Sequence, residues 1–162
     1  MSSIKIVEVE SGFAPRFMSE GAACMDVFAR DITFNADHGY LKVKLGFKVE
    51  IPDGYVMNLN ARSSVSDKGL ILCNGTGKID PDFRGEVQAR FYPAFTSELV
   101  AVAISGTSGI AKYMLGKFKK GEAVAQIEIV KTETKDFNLE FVSDKDLSET
   151  KRGENGHGST SK

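Results

Sequence analysis

Between Leu41 and Ile51 every second residue is apolar: Leu41, Val43, Leu45, Phe47, Val49 and Ile51 alternate with Lys42, Lys44, Gly46, Lys48 and Glu50. A period of two puts one set of side chains on one face, so this stretch predicts a half-buried strand. Pro52-Asp53-Gly54 suits a turn, and Tyr55, Met57 and Leu59 then restart the alternation, which predicts a hairpin. The same beat returns at Val87, Ala89 and Phe91, at Ala123, Ala125, Ile127 and Ile129, and at Phe137, Leu139 and Phe141. No long stretch carries a 3.6-residue period, although Ser63–Gly69 and Asp144–Lys151 could each hold a short helix. Many short strands separated by glycine-rich turns point to an antiparallel β barrel or sandwich.

Two segments break the rhythm. Pro93–Lys120 has no steady period and contains Ser105-Gly106-Thr107-Ser108-Gly109, so it reads as a long excursion or an extra hairpin. From Ser143 onward the chain turns polar and ends in a glycine-rich tail. The division expected is a barrel over residues 1–142 and an arm over residues 143–162.

Composition narrows the function classes. The 162 residues make one domain with a full core. The net charge of −1 offers no overall basic field, so nucleic acid is not an expected partner. Met1–Phe13 lacks the basic and apolar regions of a signal peptide, and the longest apolar run, Leu99–Ile104, is too short to span a bilayer. The expected setting is therefore cytoplasmic or nuclear, with no membrane partner. Cys24 and Cys73 stand alone, without the spacing of a disulfide framework or a zinc site.

Three segments carry candidate chemistry. Arg62-Ser63-Ser64 offers a guanidinium fork beside two hydroxyls, a plausible phosphate cradle; the alternative is an ordinary helix cap. Gly77 to Gly85 places Asp80, Asp82 and Phe83 in a tight turn, where Asp80 could orient a water as general base or the acids could simply bond their own backbone. Arg152 to Thr160 joins a cation, three glycines, an imidazole and two hydroxyls. It reads either as a mobile tail or as a lid closing over a nucleotide.

Together and in order, these segments resemble the five motifs of the trimeric dUTP pyrophosphatase (dUTPase) family. Ala22 to Ala29 is similar to the first, Arg62-Ser63-Ser64 through Lys68-Gly69-Leu70 to the second, Asn74 to Val87 to the third, Gly121 to Gln126 to the fourth, and Arg152 to Thr160 to the fifth. The resemblance implies a distorted jelly-roll β barrel, a homotrimer with sites at the subunit junctions, and Mg²⁺-dependent hydrolysis of dUTP to dUMP and pyrophosphate. Carried over by position, Asp80 would activate the attacking water and Phe83 would pack under the deoxyribose. Arg62, Ser63, Ser64 and Gln126 would hold the phosphate chain, with Asp26 reaching the metal through water. Asn74 and the backbone of the turn through Gly77 and Ile79 would read the uracil edge. Arg152, Ser159 and Thr160 would clamp the outer phosphates from another subunit while His157 covers the base.

Some positions depart from the family pattern. Cys24 stands where the family usually has Gly, Phe83 where it has Tyr, Ala123 where it often has Arg, Asn155 where Gly is common, and His157 where it has Phe. The stretch Pro93–Lys120 is longer than the family norm and is a candidate insertion that could dock a protein partner. Two rival readings follow from the same resemblance. One is a nucleotide-gated regulatory trimer, which in a viral member would act in host cytoplasm. The other is a dCTP deaminase, disfavoured because the carboxylate that chemistry needs aligns with Arg90.

Overall fold

The computed structural model describes residues 3–150. Its ten strands are β1 (Lys5–Glu8), β2 (Met25–Phe28), β3 (Asp31–Asn35), β4 (Tyr40–Lys44), β5 (Phe47–Glu50), β6 (Tyr55–Ala61), β7 (Leu70–Leu72), β8 (Thr76–Ile79), β9 (Gln88–Pro93) and β10 (Ala123–Lys131). They form a two-stranded sheet β1-β5 and two four-stranded sheets, β2-β10-β6-β8 and β3-β4-β9-β7. Every pairing is antiparallel. The fold is the expected all-β, distorted jelly-roll barrel. One apolar cluster fills it, drawing Phe47 and Val49 from the small sheet, Val27, Met57, Leu59 and Ile127 from the second, and Leu41, Val43, Ala89 and Phe91 from the third.

The alternation at Leu41–Ile51 holds, since all six apolar positions are 3% exposed or less. The strand itself does not run through, and the predicted hairpin is absent. Gly46, at φ +78°, breaks it, and the chain passes from β4 in one sheet to β5 in another. Leu45 donates its N–H to the Val87 carbonyl, and Val87 donates its own to Phe47, so the corner is hydrogen-bonded and the inward register survives it. The Pro52–Tyr55 turn forms, but β5 pairs with β1 while both edges of β6 are taken by β10 and β8.

Pro93–Lys120 is neither excursion nor β-hairpin. It holds α2 (Ser97–Ala103) and α3 (Gly106–Leu115), the predicted short helix after Ser63 being α1 (Ser64–Asp67). Thr96 caps α2 by accepting the Leu99 N–H. α3 packs on β3 and β4 and sends Met114 into the core. Gly109 faces α2: a Cβ there would sit 2.5 Å from Ser105 Cβ and 3.0 Å from the Val102 carbonyl oxygen. The glycines that read as turn residues therefore start one helix, at Gly106, and bring two helices close, at Gly109.

Among the described residues, those from Glu133 onward form a second unit. Within its described part, Phe137–Phe141 is not a strand, contrary to its alternation. Phe137, Leu139 and Phe141 are strongly exposed, and a lone extended segment without a ladder has nothing to stabilise it. A 3₁₀ turn at Asp144–Asp146, closed by a capping box from Ser143, stands where a short helix was expected. Among the described residues no helix is long and apolar enough to cross a membrane.

Candidate functional site

The β2-β10-β6-β8 sheet aligns one residue from each strand into a polar row. Asp26 of β2 faces Gln126 of β10, Gln126 faces Asn60 of β6, and Asn60 faces Thr76 of β8. Arg62, just past the end of β6, turns back over this row. Its Nη2 lies 3.2 Å from Asp26 Oδ2, and its Nη1 donates to the Ala123 carbonyl at 3.4 Å. Asp26 is 8% exposed, and so buried a carboxylate is tolerable because the guanidinium answers it. Three of the sequence candidates, Asp26, Arg62 and Gln126, thus meet at one end of the sheet.

Ser63 and Ser64 follow directly. Ser63 occupies the cap position of α1 but makes no side-chain cap bond; its carbonyl accepts the Ser66 hydroxyl instead. The capping alternative is therefore not realised, and the Ser63 hydroxyl is exposed. A second link fixes the segment from beneath. Lys68 Nζ lies 2.7 Å from Glu122 Oε1 and donates to the Lys117 carbonyl, tying the segment after Arg62 to the loop before Gln126. Burial opposes ionisation of Glu122, but the hydrogen bonds from Lys68 and the Lys119 N–H, with both lysine charges, outweigh it and hold this carboxyl below its usual range.

The Asp80 turn is built separately. Asp80 is exposed and lines a hollow of about 150 Å³ with Lys78, Ile79, Phe83, Val87 and Gln88. That is smaller than the ~300–1,000 Å³ of a whole small-molecule pocket and suits one ring. The Phe83 ring folds over Gly85, where a Cβ would lie 2.6 Å from the ring and could be admitted only by displacing it. Gly77 is buried, and the Asn74 amide and Leu59 fill the space a side chain would need, each 3.3 Å from its ideal Cβ. Asn74, Gly77, Ile79, Asp80 and Phe83 are thereby gathered on β8 and the turns that flank it.

Sequence reasoning missed several members of this surface. Val87 and Gln88, which follow the Asp80 turn, also line its hollow. Lys78 Nζ donates to Asn58 Oδ1 at 2.8 Å, Asn58 and Asn60 both donate to Glu128 Oε1, and Thr76 donates to Asn60 Oδ1 at 3.0 Å. This network staples the edge strand β8, which carries the turn, to β6 and β10. Its only trace in the sequence is polar residues on alternate strand positions. Arg152, His157, Ser159 and Thr160 lie outside the described residues.

One chain does not unite the two clusters. Ile79 pairs with Met57, and Arg62 lies five residues further along, about 17 Å at a rise of ~3.3 Å per residue.

A family model described as dUTPase matches residues 12–111. The chain is 36% identical over 148 residues to the deoxyuridine 5'-triphosphate nucleotidohydrolase of Zymomonas mobilis, covering 90% of this chain and 86% of that one. This protein belongs to the dUTPase family. It is also 31% identical over 163 residues to the same-named enzyme of Fusobacterium nucleatum, covering 98% and 97% of the two chains. In fold it is similar to a mutant dUTPase of Staphylococcus bacteriophage 80alpha bound to dUpNHpp, with TM-score 0.69, 21% identity and 99% of each chain covered. A mutant dUTPase of phage phi11, described with a structural Mg(II) ion, matches at TM-score 0.64 and 22% identity, over 90% of this chain and 100% of that one. The jelly-roll dUTPase fold thus stands on two independent comparisons.

Proposed function

We propose that this chain hydrolyses dUTP to dUMP and pyrophosphate. The observation that carries it is the convergence of Asp26, Arg62 and Gln126 at one sheet end, with Asn74, Asp80 and Phe83 in the turns flanking β8, in a member of the dUTPase family. Asp80 takes a proton from a water whose oxygen attacks the α-phosphorus; the bond from that phosphorus to the α–β bridging oxygen breaks, and pyrophosphate leaves. Arg62, the hydroxyls of Ser63 and Ser64, and the Gln126 amide bind the phosphate chain, which makes this catalysis a matter of positioning and charge. Phe83 packs under the deoxyribose. Asn74 and the main chain of Gly77 and Ile79 read the base, and Gln88 closes that hollow. Arg152, Ser159, Thr160 and His157 belong to the same reading, as a clamp on phosphates and base.

Among the described residues there is no group of three His, Cys, Asp or Glu side chains placed to hold a metal. Mg²⁺ usually keeps several waters and binds through one or two carboxylates plus substrate phosphates, and Asp26 supplies one buried carboxylate beside the phosphate-binding cation. The donor set therefore fits an ion carried in on the triphosphate, with Asp26 touching its water shell. When bound, the ion would neutralise phosphate charge. The arrangement also supports a homotrimer: Asp80 and Arg62 sit too far apart in one chain to act on one α-phosphate, whereas clefts between copies could bring them together.

Release of pyrophosphate from dUTP, measured beside dCTP, dTTP and UTP, tests the assignment. The expected result is turnover confined to dUTP and reduced by about 10²–10⁴ in Asp80→Asn. Equal hydrolysis of dTTP or UTP would reject the base and sugar contacts.

A second reading, regulation of a protein partner through 93–120, is favoured by one observation. α2 has no fully buried residue, and Phe95 and Ile104 beside it are 89% and 88% exposed. Phage dUTPases of similar fold are described as controlling transfer of virulence genes by a G protein-like mechanism. Deleting the segment with no change in turnover or in any bound protein would reject this role here.

A further inference from the structure

The outward face of the β3-β4-β9-β7 sheet carries a rung with two cations and no acid. Thr33 of β3 faces Lys42 of β4, Lys42 faces Arg90 of β9, and Cys73, just past β7, donates its N–H to the Arg90 carbonyl. Like charges directly opposed on neighbouring strands destabilise a sheet. Several other cations among the described residues have carboxylate partners: Arg30 and Lys44 share Glu86, Lys68 has Glu122, and Lys5 has Glu50. Among the described residues no carboxylate lies within salt-bridge distance of Arg90 or Lys42.

Arg90 is nevertheless held in place. Its guanidinium lies 5.1 Å from the Tyr40 ring centre; that ring stacks on His38 at 6.0 Å and meets Tyr92 edge-on at 6.2 Å. The guanidinium forms one wall of a cavity of about 340 Å³, whose other lining residues are Cys73, Asn74, Gln88 and Tyr92. That lining offers a planar cationic fork, two amides and a phenol, and no acid. Pre-oriented donors of this kind match a tetrahedral oxyanion.

We infer that this cavity binds a phosphate group on Arg90, with Lys42 neutralising its second charge, at a place distinct from the Arg62 cluster on the other four-stranded sheet. The anion relieves the repulsion across the rung, which explains why the sheet carries it. The cavity shares Asn74 and Gln88 with the surface assigned to the base, so it adjoins that site; phosphate binding is measured without dUTP, which keeps failure of this proposal distinguishable from failure of the hydrolytic reading.

Calorimetric titration of the full chain with inorganic phosphate, at ionic strength held constant with KCl, tests it in the unmodified protein and in Arg90→Gln, Lys42→Gln and Arg62→Gln. Losing a charge-assisted contact should weaken phosphate binding about 10–100-fold in Arg90→Gln. Lys42→Gln should weaken it less, and Arg62→Gln should retain it. Cys73 provides a second readout, since phosphate should slow its alkylation, followed by mass spectrometry, in the unmodified protein but not in Arg90→Gln. A phosphate isotherm unchanged in Arg90→Gln overturns the proposal. So does an isotherm abolished by Arg62→Gln alone, which would leave only the triphosphate site as the binder.

Discussion

Glu86 shows how much one side chain settles. Arg30 donates to both of its oxygens, at 2.8 and 3.0 Å, and the Gly46 N–H donates at 3.0 Å, so one carboxylate ties the end of the Asp80 turn to the corner between β4 and β5. Burial opposes its ionisation, but the Arg30 hydrogen bonds, the Gly46 N–H and the charges of Arg30 and Lys44 prevail, and its carboxyl lies below its usual value. A depressed folded value means stability that is complete above the ordinary glutamate range, near ~4.3, and lost as pH falls through the folded value. Glu86→Gln should cost about 1–3 kcal/mol near neutral pH and flatten the acid limb of a Tm-against-pH series. An acid limb as steep as that of the unmodified chain would show the ionic account to be wrong. Gly46 is as constrained, because a Cβ there would lie 2.5 Å from Phe13 Cβ in a left-handed backbone. None of this was visible in the sequence, where Glu86 is one acid in a turn and Gly46 one gap in an alternation.

At the scale of elements, the two helices of 93–120 differ. α3 is part of the core through Met114, which is fully buried, and through the segment after it, where Phe118 meets Phe91 at 5.3 Å. α2 has no fully buried residue. Met114→Ala should therefore lower stability by about 2–5 kcal/mol in denaturant unfolding, whereas Ile104→Ser should stay within ~0.5 kcal/mol. Equal losses would mean α2 is as deeply packed as α3. The staple on β8 makes a kinetic prediction. Lys78→Met removes the cation from Asn58, frees the strand that carries Gly77 and Ile79, and should raise KM for dUTP several-fold while kcat changes little, with Lys78→Arg partly restoring it. A fall in kcat at constant KM would instead put Lys78 in the chemical step. The helices escaped a reading by period because their N-terminal glycines and serines are weak helix formers, and packing on β3 and β4 decides the outcome.

The whole molecule poses the sharpest test, because the two halves of the proposed site lie at different ends of one sheet. Asp80→Asn and Arg62→Gln should each be inactive alone. Mixed by refolding together in equal amounts, they should regain about one quarter of the unmodified rate, the chance that a cleft draws an intact Asp80 from one copy and an intact Arg62 from another. No recovery, with mixed assemblies demonstrated by mass, would place both residues in a single-chain site.

The alternation of Leu41 to Ile51 and the antiparallel class were legible along the chain, since side-chain direction in a strand is a local property; Arg62, Asp80 and Phe83 stood out by residue type, whereas Asp26, Asn74 and Gln126 became candidates only through the resemblance of their segments to the family motifs. What the tertiary structure alone decided was which strands pair and hence which residues share a surface. Gly46 turned one strand into two in different sheets, the turn after Asp80 brought Gln88 to its hollow, and the row Asp26-Gln126-Asn60-Thr76 united four strands. Pairing depends on competition among edges for hydrogen bonds and on burial of a common core, and neither quantity belongs to any single segment of chain.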